Sequence, residues 1–299
     1  MKKYRVLICE GGGIFGCIIS HFLSMLPSDK QNLEKVDVIG GCSVGALLAC
    51  SYAIGRPFVY VDDVFQKRAK KCFTKRFNAR INILASPTYR ADTIDSVIHN
   101  MIGDETVGDI KKHYPNLKFV IPALNVTKDE PIAFENMSGK WDAIKLEKVA
   151  QCSSAAPSYF EGRELGGDCI IDGGVLDVVG VLTTVIELKR NLNIPFEDLN
   201  VLILGTGKDI DPNPLTLKRY NGLNLLGVAT DVLAPYVTLS NKLWSKQICS
   251  ALGFNYFEYF NPIETNGKLD DVSQIPALVK EADKHREEFL RVWNYWLSL

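Results

Sequence analysis

The sequence runs DVIGGCSVGAL from Asp37 to Leu47, and this stretch determines how the rest of the chain is interpreted. It opens with β-branched residues that predict a short buried parallel strand. A Gly-x-Ser-x-Gly pattern follows at Gly41 to Gly45, and the residues after it are apolar and compatible with a helix. Strand, sharp turn and helix in this order form the setting of a nucleophile elbow, so the pattern predicts Ser43 as a nucleophile. The competing interpretation is a glycine-rich turn with an uninvolved serine.

The residues on either side of Ser43 are explained by the shape of the turn and by the charge that would develop at the serine. A turn this sharp leaves no room for a Cβ atom at Gly41 or Gly45. The helix that follows directs its first N–H groups, including that of Val44, back toward the serine. Negative charge that develops at Ser43 would therefore be stabilised.

Composition narrows the class of protein. The chain has 299 residues, of which 46% are hydrophobic and 23% charged, as in globular proteins of one domain. The net charge of −1 argues against a nucleic-acid-binding protein, which would be strongly basic. We find no internal repeat or linker and predict one domain over residues 1–299. No oligomeric state follows from the sequence.

The cysteines and the N-terminal residues indicate the cellular compartment in which we expect the protein. None of the eight cysteines forms a C-x-x-C pair, and most lie in apolar segments. This pattern predicts buried reduced thiols rather than a disulfide framework or a zinc site. The apolar run near the N-terminus is too short for a signal peptide, and no segment is long enough to span a membrane. We expect a cytoplasmic protein whose membrane contact, if it has any, is peripheral.

The order of apolar segments predicts an α/β fold. A strand, a helix, a second strand and a second helix open the chain, which indicates a parallel sheet covered by helices. The predicted strands are 6–9, 36–40, 118–124, 131–134, 169–171 and 201–204. The predicted helices are 17–26, one that follows Ser43 and ends near 55, 146–154, 181–189, and a long one from about 275 to the end.

A second glycine cluster, Gly11-Gly12-Gly13, lies between the first strand and the first helix. Consecutive glycines can direct several N–H groups to one point and bind an anion. With Gly16 they also match G-x-G-x-x-G, but a dinucleotide site needs an acidic residue where the second strand ends. Asp37 lies near the start of that strand instead. We therefore favour Gly11, Gly12 and Gly13 as an oxyanion hole for Ser43, since both loops lie at the carboxyl edge of the sheet.

The base for Ser43 could be a histidine or a carboxylate. Of the four histidines, only His285 comes late enough for the Ser-acid-His order of α/β-hydrolases, and its charged surroundings are typical of a solvated helix. His21 falls in the first predicted helix, where we expect a packed or partly exposed histidine, and His99 and His113 lie in polar surroundings with no identifiable partner. Asp172 is the better candidate, because it ends a buried strand and precedes Gly173-Gly174. The alternative for Asp172 is an ordinary Asp-Gly turn. A carboxylate in reach of Ser43 is chemically sufficient as a base.

Together these segments resemble the patatin-like phospholipase family. The resemblance rests on five motifs in order between about residues 6 and 207, which are EGGGIFG at 10–16, GCSVG at 41–45, SSAAPSYF at 153–160, DGG at 172–174 and LGTG at 204–207. Phe15 stands where many members carry Arg or Lys, and Glu10 where Asp is frequent. Beyond about residue 208 no motif is found.

The resemblance implies a lipid acyl hydrolase with a Ser-Asp dyad. Ser43 would be the nucleophile, Asp172 the base, and the glycine loop the oxyanion hole, in a three-layer fold with a central, mostly parallel sheet and helices on both faces. No metal and no cofactor would be required. The substrate would be a membrane phospholipid or another acyl-ester lipid. A non-catalytic lipid- or acyl-binding protein, or a nucleotide-binding module that uses the glycine loop, stays open as an alternative.

Two aromatic segments raise the question of membrane contact. Residues 64–91 contain eight Lys or Arg and no Asp or Glu. A helix from about Asp63 to Phe77 could place Phe65, Phe73 and Phe77 on one side and lie on an anionic membrane through residues 63–80. The alternative is a solvated helix whose aromatic side packs on the core. The same question applies to the aromatic run at 293–297, for which we favour packing.

Overall fold

A computed structural model of the chain describes residues 2–75, 87–209, 234–266 and 268–299. For Asp209 and residues 234–237 only the backbone is described. Arg76, Phe77 and the rest of the predicted membrane segment up to residue 80 lie outside the described residues.

The strands, in chain order, are β1 Tyr4–Cys9, β2 Val38–Gly41, β3 Lys118–Asn125, β4 Glu130–Glu135, β5 Arg163–Leu165, β6 Asp168–Asp172, β7 Leu199–Leu204, β8 Lys208–Asp209, β9 Tyr256–Phe260 and β10 Glu264–Thr265. The helices are α1 Gly16–Ser24, α2 Val44–Ala53, α3 Phe58–Cys72, α4 Ala91–Ile102, α5 Ile110–His113, α6 Leu146–Ser153, α7 Gly174–Asp177, α8 Val181–Leu192, α9 Ala234–Ala251, α10 Ile275–Lys284 and α11 Arg286–Ser298.

The main sheet has the strand order β5-β6-β3-β2-β1-β7-β9, and β4 pairs separately with β3. Strands β3, β2, β1, β7 and β9 are parallel to their neighbours in this series. Strands β4 and β6 pair antiparallel with β3, and β5 pairs antiparallel with β6. The sheet is therefore mixed, with a parallel part that runs from β3 to the edge strand β9 and antiparallel pairings at the β3 end, and the predicted α/β fold class is confirmed.

Helices cover both faces of this sheet, as predicted. Alternate residues of a strand point to opposite faces, and in β1 the side chains of Leu7 and Cys9 belong to one core while Val6 and Ile8 belong to the other. The first core contains residues of α1, α2, α3, α4, α6, α10 and α11. The second contains residues of α8 and Cys249 of α9. Helices α3 and α9 thus lie on opposite sides of the sheet.

Strand β3 brings two distant parts of the chain together. Its first residues pair with β2, with Val120 opposite Gly40. Its last residues pair with β6, which runs in the opposite direction, so that Ala123 lies opposite Asp172. Only two residues of β3, Ile121 and Pro122, separate these two pairings. As a result the carboxyl end of β6 approaches the carboxyl end of β2, although the two strands are far apart in sequence.

The C-terminal part of the chain, where no motif was found, contributes to the same fold. Strand β9 pairs with β7 from Asn200 to Leu204. Trp293 and Trp296 are buried, and the indole N–H of Trp296 donates to the carbonyl of Asn200 at 2.8 Å. The interpretation of the aromatic run as packing is confirmed for these two residues. The single domain over 1–299 stays a prediction, which the β7–β9 pairing supports.

Two predicted helices differ from those observed. The helix predicted from Asp63 to Phe77 is α3, which begins at Phe58 after Pro57 and ends at Cys72. The long C-terminal helix is two helices, because His285 leaves helical geometry between α10 and α11. The elements that were not predicted are helices α4, α5, α7 and α9 and strands β5, β8, β9 and β10. Among the described residues, no helix combines the length and apolar character needed to cross a membrane.

The aromatic side of α3 packs inward. Phe65 is 6% exposed, and the ring of Phe73 packs against those of Tyr89 and Phe160. These two aromatic residues therefore belong to the core side of the segment, as the alternative to membrane contact predicts. All eight cysteines are free thiols, and of these Cys169 is exposed.

Candidate active site

Ser43 lies at the first turn of α2 with φ +55° and ψ −121°, a backbone conformation that L-residues rarely adopt. The glycines around it are required by close contacts. A Cβ atom at Gly41 would lie 2.7 Å from the carbonyl oxygen of Cys9, and one at Gly45 would lie 1.9 Å from the same oxygen. The strained turn is thus held against the end of β1. This is the geometry that the Gly-x-Ser-x-Gly pattern predicts.

Ser153, which the sequence did not identify as a functional residue, holds the turn at Ser43 through a hydrogen bond. Ser153, at the end of α6, is fully buried, and its Oγ accepts a hydrogen bond from the N–H of Ser43 at 3.1 Å. The same hydroxyl donates to the carbonyl of Pro122 in β3 at 2.8 Å. Ser153 therefore fixes the backbone of Ser43 relative to the central strand. The signal in the sequence was its place at the start of the Ser-Ser-Ala-Ala-Pro stretch.

Asp172, the last residue of β6, is 4% exposed, and the structure brings it to Ser43. Its Oδ1 accepts a hydrogen bond from the N–H of Gly174 at 2.7 Å and lies 3.5 Å from the Sγ of Cys42. Burial raises the pKa of this carboxyl to about 6, while the N–H of Gly174 and the side chains of Ser43 and Cys42 act in the opposite direction. A carboxyl with this pKa is ionised at neutral pH and is still basic enough to accept a proton.

Gly173 and Gly174 hold the segment after Asp172 in place. A Cβ atom at Gly173 would lie 2.5 Å from the carbonyl oxygen of Pro122, so only glycine allows this segment to pass so close to β3. Asp177 caps the turn that follows, since its carboxylate accepts hydrogen bonds from the N–H groups of Gly180 and Thr183 at 2.9 and 2.7 Å. The family motif often has Asn-Asn-Pro in this region, and here an acidic residue organises the turn.

The glycine loop lies beside Ser43, but its three residues differ in function. The N–H of Gly11 donates to the carbonyl of Val178 at 2.9 Å and is not available to an oxyanion. The expectation that Gly11 supplies an oxyanion-hole N–H is therefore corrected. Gly11 matters sterically, because a Cβ atom there would lie 3.3 Å from the Cβ of Ser43. Within the described residues, the N–H groups of Gly12, Gly13 and Val44 donate no hydrogen bond.

Gly13 and Gly16 have packing reasons of their own. Gly13 has φ +57°, and a Cβ atom there would lie 2.3 Å from the carbonyl oxygen of Leu269. A Cβ atom at Gly16 would lie 2.4 Å from a methyl group of Val44. The third glycine of the G-x-G-x-x-G match thus packs helix α1 against the helix that follows Ser43. This contact favours an arrangement built around Ser43 over a dinucleotide site.

Glu10, directly before the loop, is the centre of a buried polar network. One carboxylate oxygen accepts from the N–H and the Oγ1 of Thr206 at 2.6 and 2.9 Å. The other accepts from the hydroxyl of Tyr259 at 2.5 Å and lies 3.2 Å from the Nζ of Lys242 in α9. Burial and the charge of Glu10 raise the pKa of Tyr259 well above its usual value. The family resemblance pointed to Glu10 only as a departure, and its partners come from the C-terminal third.

The network reaches the loop through Thr206. Its Oγ1 also lies 2.9 Å from the carbonyl oxygen of Gly11, so its single hydroxyl hydrogen is shared between this carbonyl and the carboxylate of Glu10. A Cβ atom at Gly12 would lie 2.4 Å from the Oγ1 of Thr206. The position of Gly12 therefore depends on Thr206, and the position of Thr206 depends on Glu10. The direction in which the N–H of Gly12 points is set by this chain of contacts.

Comparisons with known proteins agree with this geometry. The family described as "Patatin-like phospholipase" matches residues 7–185, which is more than half of the chain and includes Ser43 and Asp172. The chain belongs to the patatin-like phospholipase family. It is 25% identical over 303 residues to a cGAMP-activated phospholipase of Escherichia coli, with 91% of this chain and 83% of that protein covered. It is 27% identical over 269 residues to patatin-like protein 2 of Arabidopsis thaliana, with coverages of 75% and 65%.

Solved structures similar to this patatin-like phospholipase include VipD from Legionella pneumophila. The TM-score is 0.42 at 14% identity, with 94% of this chain and 67% of VipD covered. The type III effector ExoU gives a TM-score of 0.39 at 11% identity, with 96% of this chain and 53% of ExoU covered.

The histidines of this patatin-like phospholipase pair with carboxylates away from Ser43. His285 contacts Glu288 at 3.1 Å, His99 contacts Glu147 at 2.9 Å, and His113 lies 3.6 Å from Glu105. His21 lies between Asp62 and Asp283, each at 3.1 Å. Burial lowers the pKa of His21, but hydrogen bonds to these two carboxylates outweigh it, so that its pKa is raised. In the described residues, Asp172 and not a histidine is therefore the candidate base that lies next to Ser43.

One cluster in the described residues has the composition of a metal site, and it lies apart from Ser43. His99, Asp104 and Glu147 have their ligand atoms within 4.8 Å of one another. The Nζ of Lys145 is 2.6 Å from Asp104 and 3.7 Å from Glu147, so a cationic side chain already neutralises these carboxylates. We assign no metal site there.

Proposed function

We propose that this patatin-like phospholipase hydrolyses carboxylic esters of phospholipids or related lipids through an acyl-enzyme on Ser43. Asp172 is the general base, and the N–H groups of Gly12, Gly13 and Val44 form the oxyanion hole. The observation that carries the proposal is the buried carboxyl of Asp172 next to Ser43, with its pKa raised to about 6 by burial. Gly11, Gly16, Gly41, Gly45, Gly173 and Gly174 shape the loops sterically.

In the first half of the reaction, Ser43 attacks the ester carbonyl and Asp172 accepts the hydroxyl proton. The strained backbone of Ser43 presents its oxygen above the start of α2, whose N-terminal end favours negative charge. The tetrahedral oxyanion accepts hydrogen bonds from the three free N–H groups. Loss of one such donor typically costs about 3 kcal/mol of transition-state stabilisation. Asp172 then returns the proton to the departing alcohol.

In the second half, water attacks the acyl-enzyme while Asp172 again accepts the proton. The carboxylic acid product leaves, and Ser43 regains its hydroxyl hydrogen. Every step uses the side chains of Ser43 and Asp172 and backbone N–H groups, so the proposed cycle requires no metal or cofactor.

The direct test is hydrolysis of a short-chain p-nitrophenyl ester and of mixed phospholipid vesicles by the parent protein and the variants Ser43→Ala and Asp172→Asn. We expect both variants to lose hydrolysis while they retain the far-UV circular dichroism of the parent. Turnover by a folded Asp172→Asn protein would contradict the assignment of the base. The assays are run with and without cGAMP, since relatives in Escherichia coli and Vibrio cholerae are named cGAMP-activated phospholipases.

The alternative functions predict a different result with a fluorophosphonate probe. A hydrolase labels at Ser43, whereas a non-catalytic lipid-binding protein or a nucleotide-binding module does not. Nucleotide-dependent thermal stabilisation without labelling would support the nucleotide-binding module. A cytoplasmic location stays a prediction. Contact with an anionic membrane through residues 63–80 also stays a prediction. It now rests on the exposed lysines Lys67, Lys70 and Lys71, because Phe65 is buried.

A further inference from the structure

Helix α9 exposes an unusual number of large apolar side chains. Leu243 and Trp244 are 59% and 61% exposed, and Leu239 and Ile248 are 42% and 38% exposed. The opposite side of the helix is buried at Ser245 and Cys249. An apolar side that faces solvent in a helix already packed on its other side is typical of an interaction surface.

The packed side of α9 is attached to both halves of the active site. The side-chain N–H of Asn241 donates to the carbonyls of Gly174 and Val175 at 3.3 and 3.4 Å, just after Asp172. The Nζ of Lys242 reaches Glu10 at 3.2 Å, directly before the glycine loop. Helix α9 is therefore part of the wall of the site and not a remote element.

The apolar surface continues from α9 toward Asp172. Trp244 and Ile248 follow Asn241 by three and seven residues, which places them on the same side of the helix as the contact with α7. Leu176 of α7, four residues after Asp172, is 46% exposed. We call Leu176, Leu239, Leu243, Trp244 and Ile248 the α9 face.

The charge of the helix indicates what covers the α9 face. The segment Ala234–Ala251 contains Lys242 and Lys246 and no Asp or Glu. Lys242 is held by Glu10, whereas Lys246 is exposed. An exposed tryptophan, aliphatic side chains and an exposed lysine suit the boundary of a bilayer, where indole rings lie at the headgroup level and lysines meet anionic lipids. The family acts on lipids, and such substrates reside in bilayers, so the surface next to the site has to meet one.

We propose that the α9 face lies on the lipid bilayer and brings the entrance of the site to the acyl esters of the membrane. Trp244 and Leu243 insert among the headgroups and upper acyl chains, and Lys246 contacts anionic headgroups. The inference rests on the proposed function, because it assigns a binding surface to the same site. Because α9 and α3 lie on opposite sides of the sheet, membrane contact through the α9 face and membrane contact through residues 63–80 are alternatives.

The test compares the double variant Leu243→Ser/Trp244→Ser with a matched control. The control is Val59→Ser/Tyr295→Ser, which removes one aliphatic and one aromatic side chain that are 53% and 55% exposed on the other side of the sheet. Binding to vesicles of equal parts phosphatidylcholine and phosphatidylglycerol is measured by co-sedimentation, with Ser43→Ala added to every protein so that no lipid is consumed. Catalysis is measured separately, on the vesicles and on a soluble p-nitrophenyl ester.

We expect the α9 double variant to bind vesicles roughly tenfold more weakly, in line with the loss of two inserted apolar side chains. Its hydrolysis of vesicle lipid should fall similarly, while hydrolysis of the soluble ester stays that of the parent. The control should match the parent in every assay. Undiminished vesicle binding by the double variant would overturn the proposal, and so would a change in oligomeric state in light scattering, which would identify the α9 face as a protein–protein interface.

The two proposals fail in distinguishable ways. If the parent protein does not hydrolyse the soluble ester and Ser43 is not labelled, the proposed function is wrong. The binding measurement still decides the α9 face, since it is made on proteins without Ser43. If the soluble ester is hydrolysed and the vesicle binding of the double variant is unchanged, only the α9 face is wrong.

Discussion

The thiol of Cys42 lies 3.5 Å from a carboxylate oxygen of Asp172, and both side chains are buried. Burial, followed by the charge of Asp172, raises the pKa of the Cys42 thiol well above its usual value, so the thiol stays protonated and donates. This donor stabilises the ionised form of Asp172 and lowers its pKa against the larger effect of burial. The residue before the nucleophile thus adjusts the basicity of the base.

Replacement of Cys42 by alanine should shift the pH dependence of hydrolysis. The parent should lose activity as the pH falls through about 6, because Asp172 must be ionised to act as a base. Without the thiol, the pKa of Asp172 rises above its value in the parent, and the acid limb of kcat/KM moves to higher pH. Cys50→Ala is the control, because it removes a fully buried thiol of α2 that does not affect the pKa of Asp172. Identical acid limbs for parent and Cys42→Ala would contradict this role.

Asp172→Asn should make the protein more stable at high pH although it abolishes hydrolysis. The folded pKa of about 6 lies above the ordinary aspartate value of 3.8, so ionisation in the folded state is unfavourable. The penalty is absent well below pH 3.8 and grows as the pH rises from 3.8 to 6, after which it stays at about 3 kcal/mol. Urea unfolding at about pH 8 should favour the variant, and the difference should become small at about pH 4. Asp29→Asn, at an exposed position, should show no such trend.

Glu10→Gln should reduce turnover more than it reduces stability. The amide cannot accept all the hydrogen bonds of the carboxylate, and it leaves the Nζ of Lys242 without its charge partner. Thr206 then no longer holds Gly12, and a misdirected oxyanion donor lowers kcat by roughly tenfold to a hundredfold. KM for a soluble ester should change little. Glu10→Asp, which keeps the charge, should retain more of the rate, and an unchanged kcat in Glu10→Gln would show that Glu10 is only structural.

His285→Ala should leave hydrolysis close to that of the parent. The imidazole contacts Glu288 at the break between α10 and α11, on a helix surface away from Ser43. A large loss of kcat with intact folding would instead favour a Ser-Asp-His triad. The measurement is kcat on the soluble ester, with thermal unfolding as the check on folding.

Local sequence was enough to predict the parts of the site that depend on sterics. Backbones approach too closely for a Cβ atom at Gly41, Gly45 and the triple glycine. Glycines in such patterns predict a close approach from the sequence alone. Pro57 also marks the N-terminus of α3, because proline is common where a helix begins. The predicted start at about Asp63 followed the spacing of the lysines and aromatic residues instead. The end of α3 at Cys72 had no comparable signal.

Long-range pairings could not be read in the same way. Nothing in the sequence around Gly11 shows that its N–H is used by Val178, and nothing around Glu10 shows that Lys242 and Tyr259 surround it. Asp172 was expected to share an edge with Ser43 because both end strands, yet β6 is antiparallel to β3. The two meet because β6 comes toward β2 from the other end of β3, and strand direction is a property of the whole sheet.

In this arrangement, the pairing of β3 with both β2 and β6 sets the distance between Ser43 and Asp172. Loops between β3 and β6 can lengthen without moving Asp172, because the register of Ala123 with Asp172 is fixed within the sheet. One residue inserted between Val120 and Ala123 would instead slide the carboxylate by about 3.3 Å along the strand and turn its side chain to the other face. In evolution, insertions and deletions should therefore accumulate in the loops between β3 and β6. The span of β3 from Val120 to Ala123 should accept substitutions but no change of length.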